Sequence, residues 1–274
     1  MKSTADTADR TGGSLWPIIV GGCHRSGTSL VRRILNSHSR IHCGPEIKFF
    51  KDFYGDYLDD PLAHARFFHS ARTVLSLQKL LTIFGKAFIE MHRLAAADAG
   101  KPRWADKCPE NAIYLETWNS LLGEDWLYIH VARNPLDTIA SIRDVEFSLA
   151  IPSTLDGRID HYLEYLDAGV SFSEKHPDRS ILICYESLVR DPKRVIDRLM
   201  AYLGEQTEPQ QRAPNSVPHQ LGLEDPKIAG ASEIHAESIG RWREILNTQE
   251  RDHILGRCLP AWKRVDPEGA YMRS

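Results

Sequence analysis

The sequence has few of the features that mark secreted, membrane-spanning or nucleic-acid-binding proteins. Its five cysteines are dispersed and form no CxxC pair, which argues against a disulfide scaffold or a zinc ribbon. No run of about 18 apolar residues, the length that spans a bilayer, is present. The formal net charge of -3 gives no overall basic field for nucleic acid or a membrane surface. We therefore expect reduced thiols in a cytoplasmic protein, with neither of those two partners.

The N-terminus also lacks the apolar core of a signal peptide. Residues 1–14 are small and polar, and we predict a flexible tail there. With 42% hydrophobic residues, the remaining chain is long enough to bury a sizeable core. We predict a single domain over residues 15–274.

Short apolar runs alternate with helical patterns along the chain. Strands are predicted within 15–22, 101–109, 125–135 and 180–188, and helices within 28–38, 60–98, 110–122, 135–145, 156–176 and 191–203. Such alternation predicts a parallel sheet with helices on both faces. Residues 205–232, rich in Pro, Gln, Asn and Gly, are predicted to form a long loop, either a functional lid or a disordered segment.

A glycine-rich loop lies between the first predicted strand and helix. Residues 21–29 read GGCHRSGTS, and from Gly22 the frame is GxxxxGTS. In this context, backbone N–H groups and a helix N-terminus can bind phosphate. An NTP-hydrolysing loop would have lysine in place of Thr28; here the cation is Arg25, three residues earlier. The loop thus suits a 5′-phosphate group that is not a metal-bound triphosphate, although a plain glycine turn is the alternative.

The stretch VGGCHRSGTSLVRRILNSHSRIHCGPE resembles the 5′-phosphosulfate loop of sulfotransferases that use 3′-phosphoadenosine-5′-phosphosulfate (PAPS), most closely the tyrosylprotein sulfotransferases and their bacterial relatives. The resemblance recurs at DKCPE, HVARNPLDTIASIRD, CYESLVRDP and, weakly, SIGRW. It implies a P-loop NTPase-like α/β fold, PAPS as donor, PAP as product and no metal. It also implies that the 5′-phosphate is bound by Arg25, Ser26, Gly27, Thr28 and Ser29.

A second anion site is predicted where the third strand ends. Arg133 ends that strand and Ser141 lies on the following helix; an arginine engages phosphate with paired donors. The resemblance assigns this pair to the 3′-phosphate, whereas alone Arg133 would be expected to pair with a carboxylate such as Asp137. A further arginine of the family pattern falls at Val145, so its contact is absent or supplied by Arg143.

The remaining donor contacts are implied by weaker motifs. Tyr185 matches a tyrosine near the nucleotide, with core packing as an equal alternative. Ser238 and Arg241 match residues that close over the 3′-phosphate, while Trp242 is expected to pack. The family's late lysine has no match, since its position falls at Ser232.

For catalysis, the resemblance implies Glu46 as general base and Arg25 and Lys107 as charge stabilisers. Glu46 follows Arg25 by 21 residues (46 − 25), as in the family pattern. A carboxylate can take the proton of an acceptor hydroxyl when geometry and a raised pKa cooperate. Asp106 is expected to orient Lys107. The alternatives are a surface glutamate in a turn, a solvated loop lysine, or a histidine as base, for which His24, His38, His42 and His130 are candidates.

Two other function classes compete with a sulfotransferase. A P-loop small-molecule kinase would need the lysine that is missing at Thr28 and an acidic magnesium ligand at a strand end. A catalytically inactive nucleotide-binding module is the second. The acceptor is expected to be a small molecule or glycan hydroxyl, bound near residues 47–90 and the 205–232 loop. The oligomeric state stays open, a homodimer included.

Overall fold

Five short, buried strands form one parallel sheet in the order β2-β3-β1-β4-β5. The computed structural model describes residues 15–56, 61–144, 151–220 and 234–271. The strands are β1 (Ile18–Gly22), β2 (Ile41–Cys43), β3 (Arg103–Lys107), β4 (Leu127–Ala132) and β5 (Ser180–Cys184). The tail predicted over residues 1–14 lies outside the described residues.

Helices connect consecutive strands and cover both faces of the sheet. They are α1 (Thr28–Ser37), α2 (Phe49–Tyr54), α3 (Pro61–Ala71), α4 (Leu77–Asp98), α5 (Leu115–Leu122), α6 (Pro135–Arg143), α7 (Leu155–Lys175), α8 (Tyr185–Arg190), α9 (Pro192–Leu203), α10 (Trp242–Ile245) and α11 (Thr248–Trp262). Short 3₁₀ segments span Pro109–Ile113, Pro209–Arg212 and Pro214–Ser216. The predicted α/β class, a parallel sheet between helices, is confirmed.

The alternation of side chains along β1 divides the core. Ile18 and Val20 pack on one face with apolar residues of α1 and α9. Ile19 points to the other face and packs with aromatic residues of α2, α4 and α5, Trp118 among them. Successive strand residues point to opposite faces, so a fully buried central strand needs apolar residues at every position.

The predicted helix over residues 60–98 is wrong in one respect, because it is two helices. α3 ends at Ala71 and α4 begins at Leu77. The backbone N–H groups of Val74 and Leu75 donate to the Ala71 carbonyl and close a turn between the two helices. A second difference is β2, whose three residues are too few to show a strand pattern. Of the predicted 205–232 loop, residues 205–220 contain two 3₁₀ segments, and 221–232 lie outside the described residues.

All five cysteines are buried and none forms a disulfide. Burial raises the pKa of the Cys23 and Cys108 thiols, so these groups are protonated and pack as small apolar side chains. Among the described helices, none is long and apolar enough to cross a membrane.

Candidate active site

The glycine loop leaves β1 at the carboxyl edge of the sheet and turns sharply into α1. Ser26 N donates to Cys23 O at 3.1 Å, and Arg25 (φ 68°) and Gly27 (φ 101°) adopt left-handed conformations. A Cβ on Gly27 would lie 2.5 Å from the Tyr185 ring, and one on Gly22 would lie 2.3 Å from a β4 carbonyl. Both glycines are therefore required by close packing, which a mere connecting turn does not explain.

The start of α1 has the properties of an anion site. Gly27 precedes the helix, no side chain caps it, and its first turn has no acidic residue. The hydroxyl of Ser26 is buried and has no hydrogen-bond partner. Unpaired N–H groups and the positive end of the helix dipole favour a phosphate at this position. The residues present thus fit a bound phosphate group.

Arg133 and Ser141 lie against the same loop. The Arg133 guanidinium donates to the carbonyl oxygens of Arg25 at 3.1 Å and Ser238 at 2.5 Å. Arg25 Nε donates to Ser141 Oγ at 3.1 Å. Arg133 Nε is buried without a hydrogen-bond partner. The two predicted anion-binding groups are therefore adjacent at one edge of the sheet.

The alternative pairing of Arg133 with Asp137 does not occur. Asp137 accepts instead from the backbone N–H groups of Gly240 at 2.8 Å and Trp242 at 3.1 Å. Its carboxylate therefore holds the 240–242 turn beside α6 and leaves the Arg133 guanidinium free of an ion pair with it. Trp242 packs against the core as expected.

Tyr185 joins this group, and Arg241 does not. The Arg133 guanidinium carbon lies 4.6 Å from the centre of the Tyr185 ring, a cation–π contact, and Ser238 hydrogen-bonds the Tyr185 side chain. Tyr185 begins α8 and is not part of the strand, contrary to prediction. Arg241 is half-exposed, and its guanidinium is 3.7 Å from Asp144.

Three further positions were considered for the family's remaining arginine and lysine contacts to the donor: Arg143, Val145 and Ser232. Arg143 pairs with Glu250 at 3.1 Å on the surface, so it does not replace the family arginine. Val145 and Ser232 lie outside the described residues.

Glu46, Lys107 and Ser29 form a third group at the same edge. Lys107 Nζ is 2.6 Å from Glu46 Oε2 and 3.3 Å from Ser29 Oγ. The Lys107 side chain is fully buried, and that of Glu46 is 9% exposed. The alternatives of a surface glutamate and a solvated lysine are therefore wrong.

Contrary to the prediction, Asp106 does not contact Lys107. Neighbouring residues of a strand point to opposite faces, and Asp106 accepts from Asn111 Nδ2 at 2.8 Å and faces His92 at 3.2 Å. Glu46 and Ser29 are the residues that contact the lysine.

The pKa of Glu46 is lowered, contrary to the raised value expected of a general base. Burial raises it, but the ammonium groups of Lys107 and Lys48 outweigh burial and hold the pKa of Glu46 below its usual range. The carboxylate is thus ionised at neutral pH, the form that accepts a proton, although its basicity is weakened while both lysines contact it.

Two residues of this group were not singled out from the sequence. Lys48 Nζ is 2.9 Å from Glu46 Oε1 and 2.7 Å from Glu110 Oε1. Glu110 is 2% exposed and lies in the first turn of the 3₁₀ segment after β3. The only sequence signal was proximity, since Lys48 follows Glu46 by two residues and Glu110 belongs to the DKCPE motif.

The four histidines are placed differently. His130 is buried beside Tyr128 and Gly169, and burial lowers its pKa to about 3. His38 bonds the Gln206 carbonyl at 3.0 Å, and burial lowers the pKa of His42. His24 Nε2 lies 3.3 Å from Glu110. Only His24 adjoins the Glu46 group, through Glu110.

Glu46, Cys108 and Glu110 place three ligand-type atoms within 4.8 Å of one another. The ammonium of Lys48 lies against both carboxylates, and burial keeps the Cys108 thiol protonated by raising its pKa. Lysine thus supplies the positive charge that these carboxylates need, and we assign no metal to them.

The sheet and its glycine loop define an α/β protein of the P-loop NTPase-like class, with three polar groups at the carboxyl edge. The family model described as "Sulfotransferase family" matches residues 17–209. The chain belongs to the sulfotransferase family, as the sequence resemblance implied.

Solved structures share the fold. The sulfotransferase domain of the Synechococcus PCC 7002 olefin synthase is 18% identical, with a TM-score of 0.63 over 88% of this chain and 93% of that one. The sulfotransferase domain of the curacin biosynthetic pathway is 20% identical, with a TM-score of 0.60 over 88% and 96%. Mouse sulfotransferase SULT7A1, complexed with PAP, is 14% identical, with a TM-score of 0.52 over 93% and 89%. No curated protein matches the sequence.

Proposed function

We propose that the protein transfers a sulfuryl group from PAPS to an acceptor hydroxyl. The observation that carries this proposal is the contact between the two anion-binding groups: Arg25 of the glycine loop bonds Ser141, and Arg133 bonds the Arg25 carbonyl. A nucleotide with phosphates at both its 5′ and 3′ positions needs two such groups close together. A mouse protein of the same fold is complexed with PAP, which agrees with this donor.

The donor is bound at the edge where the strands end. The 5′-phosphosulfate lies at the start of α1, against Ser26, Gly27, Thr28 and Ser29. The buried, unpartnered Ser26 hydroxyl supplies one donor there. Arg133 and Ser141 bind the 3′-phosphate, and Tyr185 and Ser238 hold the Arg133 guanidinium in place. Arg241 lies farther out and completes this site only if it leaves Asp144.

Transfer proceeds in line. The acceptor oxygen attacks sulfur, the bond from sulfur to the 5′-phosphate oxygen breaks, and that oxygen keeps the electron pair as PAP leaves. The acceptor proton passes to the Glu46 carboxylate. Lys107, in contact with both Glu46 and Ser29, and Arg25 stabilise the negative charge that develops on the transferring and leaving oxygens.

The kinase alternative lacks support from the described residues. Asp106, the acidic residue next to the end of β3, accepts from Asn111 and faces His92. The lysine position of an NTP-hydrolysing loop is Thr28. The inactive module is opposed by the contact of Glu46 with Lys107, since a binding module needs no buried carboxylate beside the donor site. The proposed mechanism uses no metal.

We extend the proposal to the acceptor and the compartment. The acceptor is a small molecule or glycan, bound near residues 47–90, where α2 begins three residues after Glu46 and Phe49 is partly exposed. Five reduced, buried thiols are typical of a cytoplasmic protein.

Thermal-shift measurements with PAP, AMP, ADP and ATP test the donor. A ligand that binds the folded state raises the melting temperature, so we expect PAP to give the largest rise. Arg133→Ala should abolish the excess of PAP over ADP, while Arg194→Ala, an exposed arginine of α9, should retain it. Equal shifts for PAP and ADP in the unsubstituted protein would contradict the proposal.

Transfer from ³⁵S-labelled PAPS to a panel of phenols, sugars and aliphatic alcohols tests the activity. Glu46→Gln should lose transfer and keep the PAP-induced thermal shift. Should Glu46→Gln transfer sulfate at the original rate, Glu46 is not the base; should the unsubstituted protein bind PAP and modify no acceptor, the inactive module is favoured.

A further inference from the structure

Lys48 lies between the carboxylates of Glu46, the proposed base, and Glu110. Its Nζ is 2.9 Å from Glu46 Oε1 and 2.7 Å from Glu110 Oε1. The second oxygen of Glu46, Oε2, is 2.6 Å from Nζ of Lys107. Each oxygen of the Glu46 carboxylate is thus held by a separate ammonium group, and this fixes the orientation of the carboxylate plane.

Glu110 is a buried carboxylate that contacts Cys108 and His24 as well as Lys48. Its Oε2 accepts from Cys108 Sγ at 2.8 Å, and His24 Nε2 lies 3.3 Å from Oε1. Burial raises the pKa of Glu110, but the contacts with His24 and Lys48 hold it well below its usual range. A buried carboxylate without a nearby positive charge would be strongly unfavourable, and Lys48 is a cation that Glu110 shares with Glu46.

We propose that Lys48 and Glu110 act together as positioning residues that set the orientation and basicity of Glu46 for proton removal. This inference rests on the proposed function of Glu46 as base. Lys48 holds one oxygen of Glu46. Glu110 takes part of the charge of Lys48, so that Glu46 stays basic enough to accept the acceptor proton.

The two residues act on Glu46 in opposite directions. In the described part of the chain, the charged groups facing Glu46 are Lys107 from β3, Lys48 from its own loop and Glu110 from the 3₁₀ segment, with the neutral Cys108 thiol beside them. The positive charge of Lys48 lowers the pKa of Glu46, and the negative charge of Glu110 raises it.

Carbon-13 NMR of the glutamate side-chain carboxyls measures the pKa of Glu46 without any acceptor. The missing resonance in Glu46→Gln identifies the Glu46 signal. Lys48→Met should raise that pKa and Glu110→Gln should lower it, each by about one unit, the size typical of one nearby charge. The double substitution should return the pKa toward its original value.

Three variants serve as controls. Lys48→Arg keeps the charge and should leave the pKa of Glu46 close to its original value. Lys86→Met and Glu116→Gln remove exposed charges of α4 and α5 and should change nothing. Thermal unfolding and the PAP-induced shift show whether each variant is folded. Because the Lys48 side chain is 21% exposed, we expect Lys48→Met to fold even if Glu110→Gln does not.

An unchanged pKa of Glu46 in Lys48→Met would overturn the inference, as would a rise in a folded Glu110→Gln. Failure of the proposed function gives a different result. If Glu46→Gln still transfers sulfate while the two pKa shifts appear as expected, Glu46 is not the base but its electrostatic control by Lys48 and Glu110 is supported.

Discussion

Arg25 has φ 68°, a left-handed conformation that costs a residue with a Cβ about 1–2 kcal/mol. Its side chain bonds Ser141 and its carbonyl accepts from Arg133. These contacts offset the strain and bring a cation to the start of α1. Strained backbone of this kind is found often at functional sites, in agreement with the role proposed for this loop.

Gly27 is a residue at which one methyl group should disturb both folding and donor binding. Its φ is 101° and an added Cβ would lie 2.5 Å from the Tyr185 ring. We expect Gly27→Ala to lower the free energy of unfolding by about 3 kcal/mol, from strain and overpacking together, and to weaken PAP binding. Urea unfolding and PAP titration measure the two effects.

Gly204→Ala is the matched control. Gly204 also has a left-handed φ, 71°, but a Cβ there would meet nothing within 4 Å. It should cost about 1 kcal/mol of stability and leave PAP binding unchanged. Equal losses of PAP affinity in both variants would show that the close approach of Gly27 to Tyr185 has no bearing on the site.

Contacts within a short motif could be predicted from the sequence, and contacts between distant segments could not. The loop residues around Arg25 follow from glycine spacing and context. The bond from Lys48 to Glu110 joins residues 62 positions apart, and no local pattern indicates it. The prediction for Asp106 is wrong because Asp106 and Lys107 both belong to β3, so their side chains point to opposite faces of the sheet. The sequence does not show that β3 extends as far as Lys107.

At the scale of elements, the site depends on where each strand stops. Lys107 ends β3, and Glu46 and Arg133 follow β2 and β4. The carboxyl ends of these strands lie at one edge because all five strands are parallel. Binding at this edge is the general rule for open α/β sheets. The long strands were predictable from buried apolar runs, but β2 has only three residues, and its position beside β3 depends on tertiary pairing.

The cap of α6 should matter for the donor site as well as for stability. Asn134 accepts from Leu136 N at 2.8 Å and directly follows Arg133. Asn134→Ala should lower the free energy of unfolding by about 1–2 kcal/mol and weaken PAP binding, because the backbone that aims Arg133 loses its support. Chemical unfolding and PAP titration are again the measurements.

Asn247 caps α11 in the same way, accepting from Glu250 N at 2.9 Å, and is exposed. Asn247→Ala should cost similar stability without loss of PAP affinity. If both cap variants bind PAP equally well, the α6 cap does not control the aim of Arg133.

For the whole molecule, buried neutral histidines predict how stability depends on pH. Burial lowers the pKa of His130 and of His161 to about 3, from 6.5. In the unfolded chain both would take up protons below pH 6.5, while in the folded protein they stay neutral until about pH 3. Protons therefore favour the unfolded state in this window, and the stability present above pH 6.5 is lost as the pH falls.

The loss should reach about 1.4 kcal/mol per pH unit for each histidine. Urea unfolding at pH 7.5, 6.0 and 5.0 measures the slope. His161→Gln should reduce it by one histidine's share, whatever the substitution does to stability at pH 7.5, and His235→Gln, an exposed histidine, should leave it unchanged. If His161→Gln does not alter the slope, this histidine becomes charged inside the fold. That would place a cation next to His24, which contacts Glu110, and would alter the charge balance around Glu46.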